Sequence, residues 1–317
     1  MNPTKTKPTA LFVAVLLFAV PAHANEAAGV VLNHDADAGT VEVHVRGEHF
    51  TTYHYGAHHA RTPFLWPVLA EGGVGVTRNH PMGEDVPPST DHPHHRSLFL
   101  AAVVNGHDFF HARRGERVDP VEVTVGEGDG YGWIRAHHRW RGRDGTILLD
   151  ELQEWRFHDT PASARYIDLA TTFKATRADI SFRDSTKYAF LAVRVRPEIE
   201  GRHGGVITNA RGHQGADRVF GAASPWVDYS GLIEGHGQRG IALFDHPANF
   251  REPFIFVRDY GLAMFNPFGN GRPRDAESYT VAKGASRTLR YRIYVHSGDV
   301  HEADVAGHYA RYIDDSK

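Results

Sequence analysis

The sequence of 317 residues contains no cysteine. The fold therefore gains nothing from disulfide bonds, and zinc sites with thiolate ligands are excluded. Several catalytic motifs are missing too, because no G-x-S-x-G, H-E-x-x-H or phosphate-loop pattern occurs. The sequence thus gives no support to nucleophile-elbow hydrolases, H-E-x-x-H metalloproteases or phosphate-loop nucleotide enzymes.

Long apolar runs are also scarce, and the one that stands out is Ala10–Val20. Lys5 and Lys7 precede this run, and Pro21 and the small-residue segment 22–24 follow it. This order is typical of a secretory signal peptide and predicts one over residues 1–24, with an exported protein, periplasmic or extracellular, after cleavage. The run is shorter than the roughly 20 residues that a membrane-spanning helix needs, so no membrane span is expected in the mature protein.

An excess of charge of one sign is lacking as well. The chain has 35 basic and 38 acidic residues, with a formal net charge of −3, and the two signs are well mixed along it. No nucleic-acid partner is expected from such a distribution. Histidine, in contrast, is abundant at 23 residues. Because imidazole titrates near pH 6.5, histidine is suited to proton transfer around neutral pH.

Alternation of apolar and polar residues dominates the rest of the chain. Ile167–Phe173 and Leu289–Val295 each place their large side chains at every second position. Many such runs, separated by turn residues, predict an all-β fold, a large antiparallel β-sandwich in one domain over residues 25–317. Residues 133–142 and 146–157 flank a Gly-Arg-Asp-Gly turn and are expected to form a hairpin.

Only one segment gives a convincing helix signal, at the C-terminus. Asp299 is a candidate cap with Glu302 three residues later, the spacing of a capping box. Val305, Tyr309 and Tyr312 would then share one face of the helix and pack it on a sheet.

Asp91–Arg96, with the sequence DHPHHR, is the densest polar cluster. Pro93 cannot donate to a sheet, so a strand is expected to start after it. Strand alternation would place His94 and Arg96 on one face and His95 on the other. We therefore do not expect a metal site from this segment alone, although one or two histidines could join ligands from elsewhere. Asp91 could orient an imidazole, or it could simply fix the loop.

Two further polar segments are candidates for the same site. In the first, His246 follows a predicted strand, and Arg258 and Asn266 lie further along the same stretch. In the second, Ser224–Gly231, Trp226, Asp228 and Tyr229 combine aromatic faces with polar groups, a mixture that suits a sugar ring. Each segment could equally serve only the fold, through turns that start with Asx residues and through core packing.

Together these segments resemble a bacterial family of exported proteins of unknown function. The resemblance depends on residues 77–100 (TRNHPMGEDVPPSTDHPHHRSLFL), 105–110 (NGHDFF), 185–195 (STKYAFLAVRV), 224–231 (SPWVDYSG) and 240–269. Members of this family often carry the automatic label "methane oxygenase PmoA". We reject that activity for this chain, because the oxygenase subunit is an integral membrane protein and no span is expected here. The resemblance implies a β-sandwich similar to the galactose-mutarotase-like folds. It also implies a protein that acts on carbohydrates.

Two functions of different classes follow from these observations. The first is an exported enzyme of epimerase, lyase or hydrolase type that acts on a sugar or oligosaccharide, with His94 or His95 and His246 as general acid and base. Asp91 or Asp228 would orient an imidazole, Arg96 or Arg258 would hold an anionic oxygen, and a divalent metal is an optional addition. The alternative is a non-catalytic glycan-binding protein of the cell envelope that uses Trp226 and Tyr229 as stacking surfaces.

Overall fold

The computed structural model describes Met1 and residues 29–85, 88–183, 190–269 and 278–315. Residues 2–24 of the predicted signal peptide and residues 185–189 of the segment 185–195 lie outside these ranges. Within the described ranges the chain is mostly strand. In chain order the strands are β1 Val30–Asp35, β2 Thr40–Val45, β3 Glu48–His54, β4 Phe64–Ala70, β5 Val74–Gly75, β6 Leu98–Ala101, β7 Val103–Val104, β8 His107–Asp108, β9 Arg117–Gly128, β10 Tyr131–Arg141, β11 Ile147–His158, β12 Ala164–Lys174, β13 Ile180–Arg183, β14 Phe190–Arg194, β15 Val206–Asn209, β16 Trp226–Ile233, β17 Gly237–Asp245, β18 Phe254–Arg258, β19 Leu262–Asn266, β20 Ser278–Val281 and β21 Ser286–Ser297. The α-helices are α1 Ala216–Val219 and α2 Val305–Asp314.

Two large antiparallel sheets make up most of the fold. The first has the strand order β1-β2-β3-β4-β6-β14-β19-β18, with β5 added beside β4. The second has the order β15-β16-β17-β21-β12-β11-β10-β9, and a small sheet joins β20, β13, β7 and β8. The all-β prediction with large antiparallel sheets is confirmed, and the predicted hairpin is the pair β10 and β11.

Side-chain alternation divides each large sheet between a shared core and an outer face. In β6, Leu98 and Leu100 point into the main core, whereas Phe99 and Ala101 point to a separate apolar cluster on the outside of the first sheet. Each fully buried large apolar side chain contributes about 1.5–3 kcal/mol to stability. Because the main core lies between the two large sheets, their outer faces are on opposite sides of it.

The C-terminal helix α2 covers part of the outer face of the second sheet. Val305 and Tyr312 pack there on Trp226 and Phe244. The predicted helix is confirmed, but its predicted cap is wrong, since Asp304 is the N-cap and accepts from the Gly307 amide at 3.2 Å. The Asp299 carboxylate instead accepts from backbone amides in the turn that precedes the helix. In the part of the chain that the structure describes, no helix has the length and apolar character needed to cross a bilayer.

Candidate functional site

The Asp91–Arg96 segment forms a turn on the outside of the first sheet, and the strand β6 begins only at Leu98. The His95 amide donates to the His92 carbonyl at 2.9 Å. His92 and Ser97 have φ angles of 42° and 55°, in the left-handed region that non-glycine residues rarely adopt. The prediction that His94 and His95 are separated by strand alternation is therefore wrong, and their rings lie 4.4 Å apart, edge to face.

Two fully buried arginines, Arg78 and Arg194, hold this turn in place. The Asp91 carboxylate accepts from Arg78 at 2.7 Å and lies 3.0 Å from Arg194. Arg194 also contacts the buried carboxylate of Glu200 at 3.2 Å, and Arg78 donates to the carbonyls of Asp91 and His92. Partial burial alone would raise the pKa of Asp91, but Arg194, His92 and Arg78 together lower it. Asp91 mainly neutralises the arginine pair.

His95 is part of a ring stack beneath the surface. Its ring is parallel to that of His92 at 4.7 Å, and His92 in turn stacks on Tyr260 at 5.0 Å. The side chain of His95 is 1% exposed, and its Nδ1 accepts from Arg194 at 3.3 Å. Burial, followed by the neighbouring His94 and Arg194, strongly lowers the pKa of His95. This imidazole is thus neutral and held in one orientation, a positioning role.

His94 faces a cavity of about 420 Å³ at the surface of the same cluster. The polar residues of its lining are Arg61, Thr62, His94, Arg96, His111 and Arg113. Ala112, in the same wall, has a φ angle of 48° and so adds a third residue in the left-handed region. The cavity volume lies within the range of roughly 300–1,000 Å³ that is usual for small-molecule sites.

The environment of His94 keeps its imidazole neutral. The ring is half-buried, 4.5 Å from the ring of His111 and 4.9 Å from that of Phe110. Burial lowers the pKa of His94 to about 3, and His111, His92, Arg113 and Arg96 add to the effect. Its Nε2 is buried and has no hydrogen-bond partner among the residues that the structure describes.

His111 is the second imidazole of the cavity. Its Nδ1 lies 2.7 Å from the Asp108 carboxylate, which also accepts from the backbone amides of Phe110 and His111. A carboxylate at this position fixes the ring orientation and favours a proton on Nδ1. Sequence reasoning missed His111, although the spacing Asp108-x-x-His111 was visible in the sequence. It missed Arg61 and Arg113 because nothing in their local sequence marks them.

His246 lies far from this cavity, on the outer face of the second sheet. It lines a different cavity of about 740 Å³, together with Asp168, Arg292 and Tyr312. Its Nδ1 accepts from the Ala248 amide at 3.0 Å. The prediction that His246 stands opposite His94 or His95 in one site is therefore wrong, because the core lies between the two outer faces.

Trp226 and Asp228 also point to the outer face of the second sheet, but they are buried there. The Trp226 side chain is 8% exposed and packs beneath α2. Asp228 is fully buried, with its Oδ1 2.8 Å from Nε2 of His296, which is fully buried as well. Neither side chain can contact a sugar in solution, so their predicted roles in substrate binding are not compatible with the structure.

Tyr229 points in the opposite direction, into the core. Its hydroxyl donates to the Arg258 carbonyl at 3.0 Å and accepts from the Gly201 amide at 3.1 Å. The ring is 1% exposed, so it cannot be the predicted stacking surface for a glycan. It instead fastens the loop before β19 to the turn that contains Glu200, and so supports the arginine pair from the core side.

Arg258 and Asn266 lie on the first sheet but outside the cavity of His94. The Arg258 guanidinium stacks over Phe256 at 4.2 Å and faces another depression that Asp217 and Asp259 help to line. Asn266 is buried, and its Oδ1 accepts from the amides of residues 268 and 269 at 3.0 Å, as in an Asx turn. The structure thus brings Asp91, His94, His95 and Arg96 together and leaves the other predicted residues elsewhere.

No metal site can be assigned from these contacts. Among the residues that the structure describes, no three histidine or carboxylate side chains are grouped as metal ligands. The optional divalent metal therefore stays a prediction without an assigned ligand set.

The comparisons with known proteins give a family and a distant structural likeness. No curated protein matches the chain. One solved chain, described as "Putative kojibiose phosphorylase from human microbiome", superposes over 70% of this chain and 25% of its own length, with 4% identity and a TM-score of 0.36. The chain thus spans about a quarter of that protein, and a likeness this weak identifies no activity. Residues 40–310 match the model of a family described as "Family of unknown function (DUF6807)", and the chain belongs to that family.

Proposed function

We propose that this protein is an exported carbohydrate-active enzyme, of epimerase, lyase or hydrolase type, with its active site in the cavity of His94. The observation that carries the proposal is the buried Nε2 of His94 at the edge of a polar cavity, for which the described part of the chain supplies no hydrogen-bond partner. A buried polar atom without a partner calls for an explanation, and a catalytic role or a ligand that is bound in the working protein is one such explanation. A bound substrate hydroxyl would supply the missing partner.

The roles of the cluster follow from its geometry. His94 would act as the general acid or base, and His111, fixed by Asp108, would be the second proton carrier. His95 and Asp91 would position the turn through Arg194 rather than touch the substrate. The roughly 4.5 Å between the two ring centres leaves both imidazoles on one wall, where they could exchange protons with neighbouring substrate oxygens.

Carbohydrate is proposed as the substrate because of the lining and the family resemblance of the sequence. Imidazole, guanidinium and hydroxyl groups dominate the polar lining, and all of them can hydrogen-bond to sugar hydroxyls. The expected signal peptide would deliver the protein to a compartment outside the cytoplasm, where polysaccharide fragments are available.

The test is turnover by the purified mature chain. A panel of neutral and uronic-acid oligosaccharides would be incubated with the protein and followed by proton NMR for new anomeric or unsaturated signals. His94→Gln keeps a hydrogen-bonding group but cannot exchange a proton, so kcat should fall by about 10²–10⁴-fold. The matched control is His236→Ala, an exposed histidine in a turn, which should retain full turnover. Full turnover by His94→Gln of a substrate from the panel would exclude the proposed role of His94.

Glycan binding without catalysis remains as a second candidate, and one observation favours it. The outer face of the second sheet carries the cavity of about 740 Å³ that includes Tyr166 and Arg290. A neighbouring cavity of about 500 Å³ shares Glu154, Ala170 and Arg290 with it, so the two adjoin and form one groove. Such a groove could hold several sugar units. Glycan binding that survives His94→Gln and is lost in Arg290→Ala would support this candidate.

A further inference from the structure

Arg96 differs from the arginines that the fold buries most completely, because each of those contacts a carboxylate. Arg78 and Arg194 share Asp91, and the nearly buried Arg165 and Arg292 contact Glu48 and Asp168. For Arg96, by contrast, no carboxylate of the described residues lies within ion-pair distance, although its guanidinium lies in the cavity lining and is only partly exposed. Burial is the cause that lowers the pKa of Arg96, with no carboxylate to offset it.

The rest of the cavity lining does not supply the missing charge. Arg61 and Arg113 are exposed at its mouth, and no ion pair or hydrogen bond of their side chains to a described carboxylate is present. The Asp108 carboxylate contacts the lining residue His111, and it is bonded to that imidazole and not to an arginine. Within the described residues, the lining contains three arginines and two histidines but no aspartate or glutamate.

A partly buried cation without a counter-ion is unfavourable unless a ligand provides one. The planar guanidinium fork binds the two oxygens of a carboxylate, or those of a sulfate or phosphate ester, through paired hydrogen bonds. Three such groups around one cavity would favour a ligand with a fixed negative charge over a neutral one. The half-buried imidazole of His94 stands beside them, where a bound anion would also favour its protonated form.

We propose that this cavity recognises an acidic sugar through an anionic oxygen group, which Arg96 binds directly while Arg61 and Arg113 attract it at the mouth. The proposal deepens the proposed function, since it uses the same cavity and names the class of substrate. A uronate carboxylate and a sulfate ester have the same recognition chemistry, and the probes below distinguish them.

The experiment measures binding to the mature chain by isothermal titration calorimetry. The probes are a galacturonate trisaccharide, a neutral galactose trisaccharide and galactose 6-sulfate. The uronate or the sulfate ester should bind about 10-fold or more tightly than the neutral sugar, because hydrogen bonds to charged groups are the stronger ones. The preference should weaken at high salt. Preference for the uronate alone would identify a carboxylate as the anionic group of the ligand. Preference for the sulfate alone would identify a sulfate ester. Equal binding of all three probes would overturn the proposal.

Two variants separate ligand binding from a structural role of Arg96. Arg96→Met should abolish the preference for the charged probe while the melting temperature stays the same or rises, since an uncompensated charge is removed. Arg78→Met should lower the melting temperature, because that arginine is fully buried and bonded to Asp91. Arg143→Met, an exposed arginine outside the cavity, is the control and should bind as the parent does. A loss of stability in Arg96→Met as large as that in Arg78→Met would show that Arg96 serves the fold and would overturn the proposal.

The result is also separable from that of the enzyme proposal. His94→Gln should keep the preference for the acidic probe, because the arginines remain. A charged-probe preference without turnover of any panel member would refute catalysis and leave the anion site standing. Turnover of neutral sugars alone, with no preference for acidic probes, would support catalysis and refute the anion site.

Discussion

Replacing Asp245 by asparagine should stabilise the protein at neutral pH. The Asp245 side chain ends strand β17 on the core side and is 3% exposed. Its Oδ1 accepts from Asn249 at 2.7 Å, but no cation contacts it among the described residues. Burial is the main cause that raises the pKa of Asp245 to about 8, and the Asn249 hydrogen bond only partly offsets it. The folded protein therefore binds a proton at pH 7 that the unfolded chain releases.

The size of the effect follows from linkage. Folding raises the pKa of this carboxyl group, so its ionisation lowers the free energy of unfolding. The loss grows as the pH rises from the ordinary pKa of 3.8 towards 8. At about 1.4 kcal/mol per pH unit, the roughly three units between 3.8 and 7 amount to about 4 kcal/mol. Asp245→Asn removes this cost and keeps the acceptor for Asn249. A gain of this size raises the melting temperature by about 10 °C.

The assay is urea unfolding of the parent and Asp245→Asn from pH 4 to pH 8. The free-energy difference should be near zero at pH 4 and increase up to pH 8. Asp129→Asn is the control, because that aspartate is exposed and its neutralisation removes no burial cost. A variant that is less stable than the parent at pH 7, or a difference that does not change with pH, would refute the reasoning.

Three further predictions concern buried polar groups and the outer faces. Asp91→Ala should cost about 3–5 kcal/mol in urea unfolding, because Arg78 loses its carboxylate while fully buried; a cost below about 1 kcal/mol would contradict this. Burial lowers the pKa of His138 to about 3, so the folded state excludes a proton that the unfolded chain binds below pH 6.5. Stability should thus fall by about 1.4 kcal/mol per pH unit on acidification from 6.5, and His138→Gln should reduce that slope when unfolding is measured between pH 6.5 and 4.5. Trp226→Ala should cost about 3–5 kcal/mol by thermal or urea unfolding and leave carbohydrate affinity unchanged, since the ring packs beneath α2; normal stability with lost affinity would restore its binding role.

Much of the architecture was predictable because β-strand alternation is a local property of the sequence. The period of two in Ile167–Phe173 correctly assigned these side chains to strand β12, with Ile167, Leu169 and Phe173 in the core. The turn between β10 and β11 was marked by its glycines in the same way. In contrast, the predicted strand at His94 was wrong, because hydrogen bonds from Arg78 to the carbonyls of Asp91 and His92 hold this segment in a turn.

The site was only half predictable, because its parts come from distant points in the chain. The residue pattern alone identified DHPHHR as a dense polar segment next to a strand, within an all-β sandwich. Which groups meet there depends on long-range strand pairing, since β6 pairs with β14 about 90 residues later and so brings Arg194 to Asp91. The same strand order put His246 and Trp226 on the outer face of the other sheet. Alternation along one strand determines which residues share a face, but long-range strand pairing determines where that face lies in the molecule.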